Sequence, residues 1–355
     1  MASKIDFSTL TLNEEEARSA NEAIFEEVYS KPELNQVHNV MTGVDQDRYI
    51  PIFGQFGLVG KVDPGSCSTN AETTQIPTSE KQWAPKLISG RLAHCQDDID
   101  DLLKFWKKSM RALYIWEDVD NEMFTFIKDR GLDVVMQSIF RISEFGDTNA
   151  DVIASGGYLT AGTTKTYFNM LDGMWAQIFT DQAGSALSYR HTITENAGAS
   201  KSAQLNLAAD AALKMFRGMY NNCDSRILDG NPVYQVTRTL LSNWQDYMED
   251  KSLSFSLQRT EEGKGSTPWS YRGIPIVPRY DWDRTIQTYM SGTTYYLPHR
   301  CVLTDVNNIP IGTSDEGSLK EFDSFYVKKD KVWYLDFAYR LDQKNLQEKL
   351  MAVAY

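Results

Sequence analysis

Alternation of apolar and polar positions is cleanest near the C-terminal end. In "KVWYLDFAYRLD", Trp333, Leu335, Phe337, Tyr339 and Leu341 fall on every second residue. A period of two places them on one face of a half-buried strand, and "EKLMAVAY" reads as one more short strand. Earlier in the chain the period is helical. In "NEMFTFIKDRGLDVVMQSIFRISEFGD", Met123, Ile127, Leu132, Val135, Ile139 and Ile142 recur at a spacing that predicts a long rod, bent at Gly131. The preceding "DDIDDLLKFWKKSM" begins with acids and ends with lysines, which suits a helix dipole at both ends. Two further helices are predicted over "YFNMLDGMWAQIFTD" and "KSAQLNLAADAALKMFRGMY", the second with Leu205, Ala209, Ala212, Phe216 and Met219 on its apolar face.

Then strands and helices alternate. "NPVYQV" reads as a strand, "TLLSNWQDYMED" as a helix, and "LSFSLQR" and "YRGIPIVPRY" as strands, which together predict a mixed α/β module. Within "SYRGIPIVPRYDWDR", Gly273 suits a turn with positive φ, while Pro275 and Pro278 withhold backbone donors. A strand framed in this way is expected at a sheet edge or on a bulge. Asp281 and Asp283 after it read as a polar surface turn. At the other end, residues 12–30 read as an acidic helix with Asn13 as N-cap and Glu14, Glu15 and Glu16 in its first turn. Its apolar stripe of Ala17, Ala20, Ile24 and Val28 is narrow, so it is expected to be an arm laid on another surface. "KPELNQVHNV" follows as a polar segment opened by a proline break.

Residues 48–94 change character. Short β-like runs, "RYIPIFGQFGLVGKV" and "APKLISGRLAHC", flank the polar "DPGSCSTNAETTQIPTSEKQ". Ordering about 35 such residues costs on the order of 50 kcal/mol of conformational entropy. At about 25 cal/mol per Å² that asks for roughly 2,000 Å² of apolar burial, more than a standard interface provides. The loop cannot supply this itself, so it is either disordered alone or ordered on neighbouring subunits.

Composition narrows the function. The chain has 355 residues, 42% hydrophobic and 24% charged, enough to bury a core. A net charge of −12 disfavours a dedicated nucleic-acid surface. No window has signal-peptide or membrane-span character, so a soluble protein made in the cytosol is expected, with no membrane partner. Cys67, Cys95, Cys223 and Cys301 are too scattered for a disulfide framework, and the adjacent His94 and Cys95 read as ordinary side chains rather than the seed of a metal site. The four histidines, His38, His94, His191 and His299, form no metal-ligand pair, and neither nucleotide-binding glycine spacing nor a hydrolase elbow occurs. No cofactor is implied. The best catalytic candidates are Asp281 and Asp283 around Trp282, which resemble the carboxylates and aromatic platform of a carbohydrate-active enzyme. Such carboxylates normally stand on different strands around a cleft, whereas these lie two residues apart on one segment.

The order of elements resembles the major capsid proteins of tailed bacteriophages, the Hong Kong 97 type of fold, over nearly the whole chain. The sharpest local match is "NPVYQVTRTLLSNWQDYMED" followed by "SYRGIPIVP", similar to that family's strand, helix and G-x-P-[IV] near the end of its axial domain. The resemblance implies an α+β Hong Kong 97-like fold, with residues 1–45 as an N-terminal arm and 46–94 as an extended β-hairpin loop. Residues 95–190 would form a peripheral domain with a long spine helix, 191–300 an axial α/β domain, and 301–355 the return strands.

It also implies a non-enzymatic shell subunit that assembles into hexamers and pentamers and encloses double-stranded DNA without binding it specifically. Portal and head-completion proteins would be further partners. Many relatives begin with a scaffolding segment removed by a protease, whereas here the arm starts almost at Met1, which implies a separate scaffolding protein. The lysine and asparagine of the namesake's covalent cross-link find no match. The expected location is the virion, after synthesis in the host cytoplasm. Candidate assembly residues are Asp63, Lys81, Trp83 and Lys86 in and beside the loop, and Gly273, Pro275 and Pro278 in the axial strand. An encapsulin-type nanocompartment shares the fold and would differ in holding a cargo enzyme, and a carbohydrate-active enzyme would lose turnover on changing Asp281 or Asp283.

Overall fold

In a computed structural model of the chain, the residues described are 34–44, 49–53, 78–95, 134–149, 165–251, 269–289, 293–314, 323–327 and 332–355. The acidic helix expected over 12–30, the centre of the loop with Asp63, the helix expected from 97, Gly131 and the strand expected at "LSFSLQR" lie outside them.

The helices are α1 (Leu34–Val37), α2 (134–145), α3 (Met174–Ala183), α4 (Lys201–Leu205), α5 (Ala211–Asn222), α6 (Ser225–Asp229), α7 (Arg238–Asp250) and α8 (Tyr280–Tyr289). Six strands form one sheet in the order β5 (Tyr189–His191), β13 (Ala352–Ala354), β9 (Cys301–Asp305), β6 (Pro232–Val236), β8 (Ile274–Pro278) and β7 (Trp269–Tyr271). The sheet is mixed: β5 with β13 and β6 with β8 run parallel, and the other neighbours antiparallel. Alternation along its central strands sends side chains to two cores. Cys301, Leu303, Ala352 and Ala354 face Met215 and Phe216 of α5 and Leu240 and Trp244 of α7. Val302 and Val353 face Trp175 and Ile178 of α3 and Trp282 and Ile286 of α8. Helices therefore cover both faces, and the apolar residues of β13 stay in the interior from either side.

The second sheet is built on the long strand read from the alternating C-terminal pattern, β12 (Val332–Gln343). β12 pairs antiparallel with β4 (Lys86–Cys95), β11 (Asp323–Val327) and β10 (Ile311–Gly312), and β10 pairs in parallel with β1 (Val40–Met41). Tyr339 and Leu341 from β12, with Ile88 and Ile311, pack against Val135, Ile139 and Ile142, the apolar face expected of the long helix. β2 (Tyr49–Phe53) and β3 (Thr78–Gln82) form a separate antiparallel pair.

Four expectations need correction. First, the strand 274–278 is not at an edge, because β8 lies between β6 and β7. Its prolines are tolerated because of register. The parallel ladder spans Tyr234↔Ile276 to Val236↔Pro278, so Pro275 precedes it. The next donor is the Arg279 N–H, 2.8 Å from the Val236 carbonyl, so that side needs nothing from Pro278. Second, the single helix expected over 201–220 is two. Asn243 holds the Ala208 carbonyl (2.8 Å) and accepts from the Ala212 N–H (3.0 Å), so α5 starts afresh. Leu205 is left exposed, outside the core. Third, the helix expected from Tyr167 begins only at Met174, because Phe168 and Gly173 pair their backbones with Asp147 and Gly146. Fourth, Asp281 and Asp283 are not in a surface turn. They occupy the first turn of α8, where the helix dipole favours acids.

Candidate functional site

The loop candidates converge on the root of the β2–β3 hairpin. Lys81, one residue before the end of β3, forms an ion pair with Glu348. Two residues on, Trp83 is buried against β10. Its ring allows only glycine at position 312, since a Cβ there would lie 2.9 Å from Trp83 Cζ3. The Ala84 N–H donates to Asp342 Oδ2 at 2.7 Å, and Lys344 stands 3.4 Å from that carboxylate. Burial raises the Asp342 pKa above the usual carboxylate range, against the pull of Lys344. Asp181 faces the same ion pair. Burial and then Glu348 push it up to about 6, with Lys81 opposing. Lys86 opens β4 opposite Leu341 and is exposed. The hairpin is thus anchored at its root by one indole and a set of carboxylates from the C-terminal segment and α3. Beyond the root, Tyr49 is 55% and Phe53 70% exposed.

Gly273 lies at the opposite kind of feature, the tight two-residue turn between β7 and β8. Its φ is +83°, and Arg272 before it also has a positive φ, +51°. Consecutive positive φ values make the turn twist with its strands, and glycine tolerates this without strain. No atom lies within 4 Å of a Cβ built at Gly273, so only the backbone conformation demands glycine. Arg272 lies with its guanidinium 4.6 Å from the Tyr220 ring centroid and donates to Asn221 (3.2 Å), which fixes the turn on the C-terminal end of α5. Pro275 and Pro278 follow, both half-buried.

A third cluster, of which the sequence reading singled out only Asp281 and Trp282 and for a different role, joins the two sheets. Arg279 is fully buried and donates to Gln235 (2.5 Å), to Asp281 through Nε and Nη2 (3.0 and 2.6 Å), and to Glu144 at the end of α2. Glu144 also accepts from the Trp282 indole and lies 3.0 Å from His38 Nε2, while His38 Nδ1 donates to the Ile309 carbonyl (2.9 Å). Burial opposes both charges of the Arg279–Asp281 pair, yet each holds the other ionised, so Arg279 is raised and Asp281 lowered. For Glu144 burial wins and raises it. The one sequence signal was Arg279 two residues before Asp281, a spacing that allows a local ion pair.

These bonds also decide the catalytic reading. Asp281 is held by Arg279, and Asp283 Oδ2 accepts the Arg238 N–H that opens α7 (2.7 Å). The pair does not flank a common cleft, as two hydrolytic carboxylates must. Among the described residues no group of three or more His, Cys, Asp or Glu could hold a metal ion, and no helix is long and apolar enough to cross a membrane.

With this geometry the chain is similar to solved phage structures. A chain from Gordonia phage Cozz superposes with a TM-score of 0.56 at 10% sequence identity, covering 94% of this chain and 89% of that one. A chain from the capsid asymmetric unit of cyanophage A-1(L) gives 0.52 at 14% identity, covering 94% and 96%. No protein-family model matches the sequence, and no curated protein matches it. The chain has the α+β fold of the Hong Kong 97-type capsid structures.

Proposed function

We propose that this chain is the major capsid protein of a tailed bacteriophage. Copies assemble into hexamers and pentamers that close an icosahedral head shell around double-stranded DNA. The observation that carries this reading is a two-stranded hairpin that, among the described residues, pairs only with itself, with Tyr49 and Phe53 exposed, on a chain with a capsid fold. An isolated two-stranded ribbon is marginal in water, and its large exposed side chains suit cover by a neighbouring subunit. Residues 46–94 then form the intersubunit loop rooted at Lys81 and Trp83, with Asp63 and Lys86 as further contacts. Residues 1–45, 95–190, 191–300 and 301–355 serve as arm, peripheral domain, axial domain and return strands. Gly273, Pro275 and Pro278 set the shape of the axial strand at the capsomer. A separate scaffolding protein, the portal and head-completion proteins are the other partners. DNA is held by enclosure, since a net charge of −12 gives little phosphate attraction.

The test is electron microscopy of the full chain beside a variant in which a short Gly-Ser turn replaces residues 54–77. This deletion keeps the β2–β3 pairing and the Lys81–Glu348 root. The expected result is closed shells from the full chain, and a variant that melts normally but forms none. Normal shells from the variant would remove the hairpin from assembly.

A further inference from the structure

A groove of about 270 Å³, open to solvent, runs between α2 and α8. Met136, Phe140 and Tyr289 give it apolar walls, and Arg141 and Arg284 bring two guanidinium groups to it. Its acids are committed inward, since Glu144 and Asp281 both bond Arg279. Arg141 donates to Ser138 (2.8 Å), while its Nε is buried without a hydrogen-bond partner. Such a surface suits a segment with a narrow apolar stripe and acidic flanks.

The chain supplies one. Leu34 packs on the same cluster as Met136, and four residues on His38 is fastened to Glu144, so the 33 residues before Leu34 enter α1 beside the groove wall. Residues 13–33 carry seven glutamates against one arginine and one lysine. Ala17, Ala20, Ile24 and Val28 recur at helical spacing, with small residues first. The Lys31-Pro32-Glu33 break breaks a helical course just before α1, which allows the chain to turn back. We propose that the α2–α8 groove is the docking site of residues 13–30 of the same chain. The apolar stripe lies along Met136, Phe140 and Tyr289, and the glutamates face Arg141 and Arg284. The docking is a property of one subunit and does not rest on shell formation. It covers the junction at which Arg279 joins the two sheets, so the terminal segment and that junction are held together.

Two measurements on the full-length protein test it. The rate of trypsin cleavage after Arg18 reads release of the segment. Arg284→Glu should speed it about fivefold, the scale of one exposed ion pair, and about 0.5 M salt should speed the wild type in the same direction. Arg284 is exposed, so the variant should still fold, with a thermal melt lowered only slightly, on the scale of one exposed ion pair. Oxidation of the Ile24→Cys, Thr288→Cys double variant, beside each single variant, should give a disulfide within one chain. An Arg18 cleavage rate unchanged by both Arg284→Glu and salt overturns the proposal. So does failure to form the disulfide. A disulfide between two chains assigns the groove to a second copy's segment and overturns it equally.

Discussion

The six-stranded sheet and the β2–β3 hairpin are both β-structure, but they are stabilised in opposite ways. In the sheet each central strand has neighbours on both sides, and Val302 and Leu303 face separate cores built from different helices. In the hairpin each strand has one partner among the described residues, and Phe53 is 70% exposed. Hydrophobic cover makes a sheet self-sufficient, while backbone pairing alone leaves a ribbon marginal. The lesson is that this chain completes the core around its six-stranded sheet internally, while among the described residues nothing completes the hairpin, which is where the proposed assembly would act. Substitutions should therefore divide cleanly into those that move the melt and those that move assembly.

The largest effect on the melt is expected at the junction. Arg279→Ala leaves Glu144 and Asp281 without their cation in a buried site, and removing one partner of such a pair costs about 3–5 kcal/mol. The loss should appear as a lowered denaturation midpoint with an unchanged slope. Adding Glu144→Gln should recover part of it, since one buried charge is then gone. A loss under about 1 kcal/mol from Arg279→Ala would mean that the junction does not hold the two sheets together.

How much of this was readable beforehand differs between the two regions. Strand β12 and helix α7 were legible because each presents an apolar face with a clean period, and β6 and β13 because each is a short, largely apolar run. The hairpin was legible by default, since its residues offer no core. The junction was not, because its bonds span the chain. In "LNQVHNV", His38 looks like a solvated polar residue, yet it is fully buried with partners 106 and 271 residues away. Asp281 and Asp283 failed for a related reason. A carboxylate reads as exposed until the sequence-distant groups that surround it are known. The edge expected for β8 failed because two prolines indicate that donors are missing, and only register tells which side lacks the need for them.

A smaller effect, placed between the two extremes, is expected at Gly273. Its φ of +83° costs a side chain about 1 kcal/mol, more for a β-branched one, although no neighbour would clash. Gly273→Val should therefore lower subunit stability modestly. If the axial turn lies at the capsomer centre, the same change should reduce closed shells by far more, because a ring closes only when every interface keeps one angle. Sedimentation beside thermal melting separates the two. Equal losses in both would place Gly273 with the core residues rather than with assembly.

The smallest effect is one of pH, at Asp283. Burial pushes this carboxyl up from the ordinary 3.8 to about 7, with Asp281 adding to the rise and the Arg238 N–H and side chain opposing it. A carboxyl that is easier to protonate in the fold than in the unfolded chain contributes stability at low pH, and this contribution is lost as pH rises through about 7. Asparagine keeps an oxygen for the Arg238 N–H that opens α7, but carries no charge to bury. Asp283→Asn should thus match the wild type near pH 4 and exceed it by on the order of 1 kcal/mol at pH 8. Taking the difference between variant and wild type at each pH removes only the part of the opposite titration of Asp281 that is independent of Asp283; their mutual repulsion, absent from the variant, adds to the gain at high pH. Denaturant midpoints at pH 4, 6 and 8 read the slope directly. A variant less stable than the wild type at pH 8 would show that the carboxylate's charge, at the N-termini of both α7 and α8, outweighs its burial.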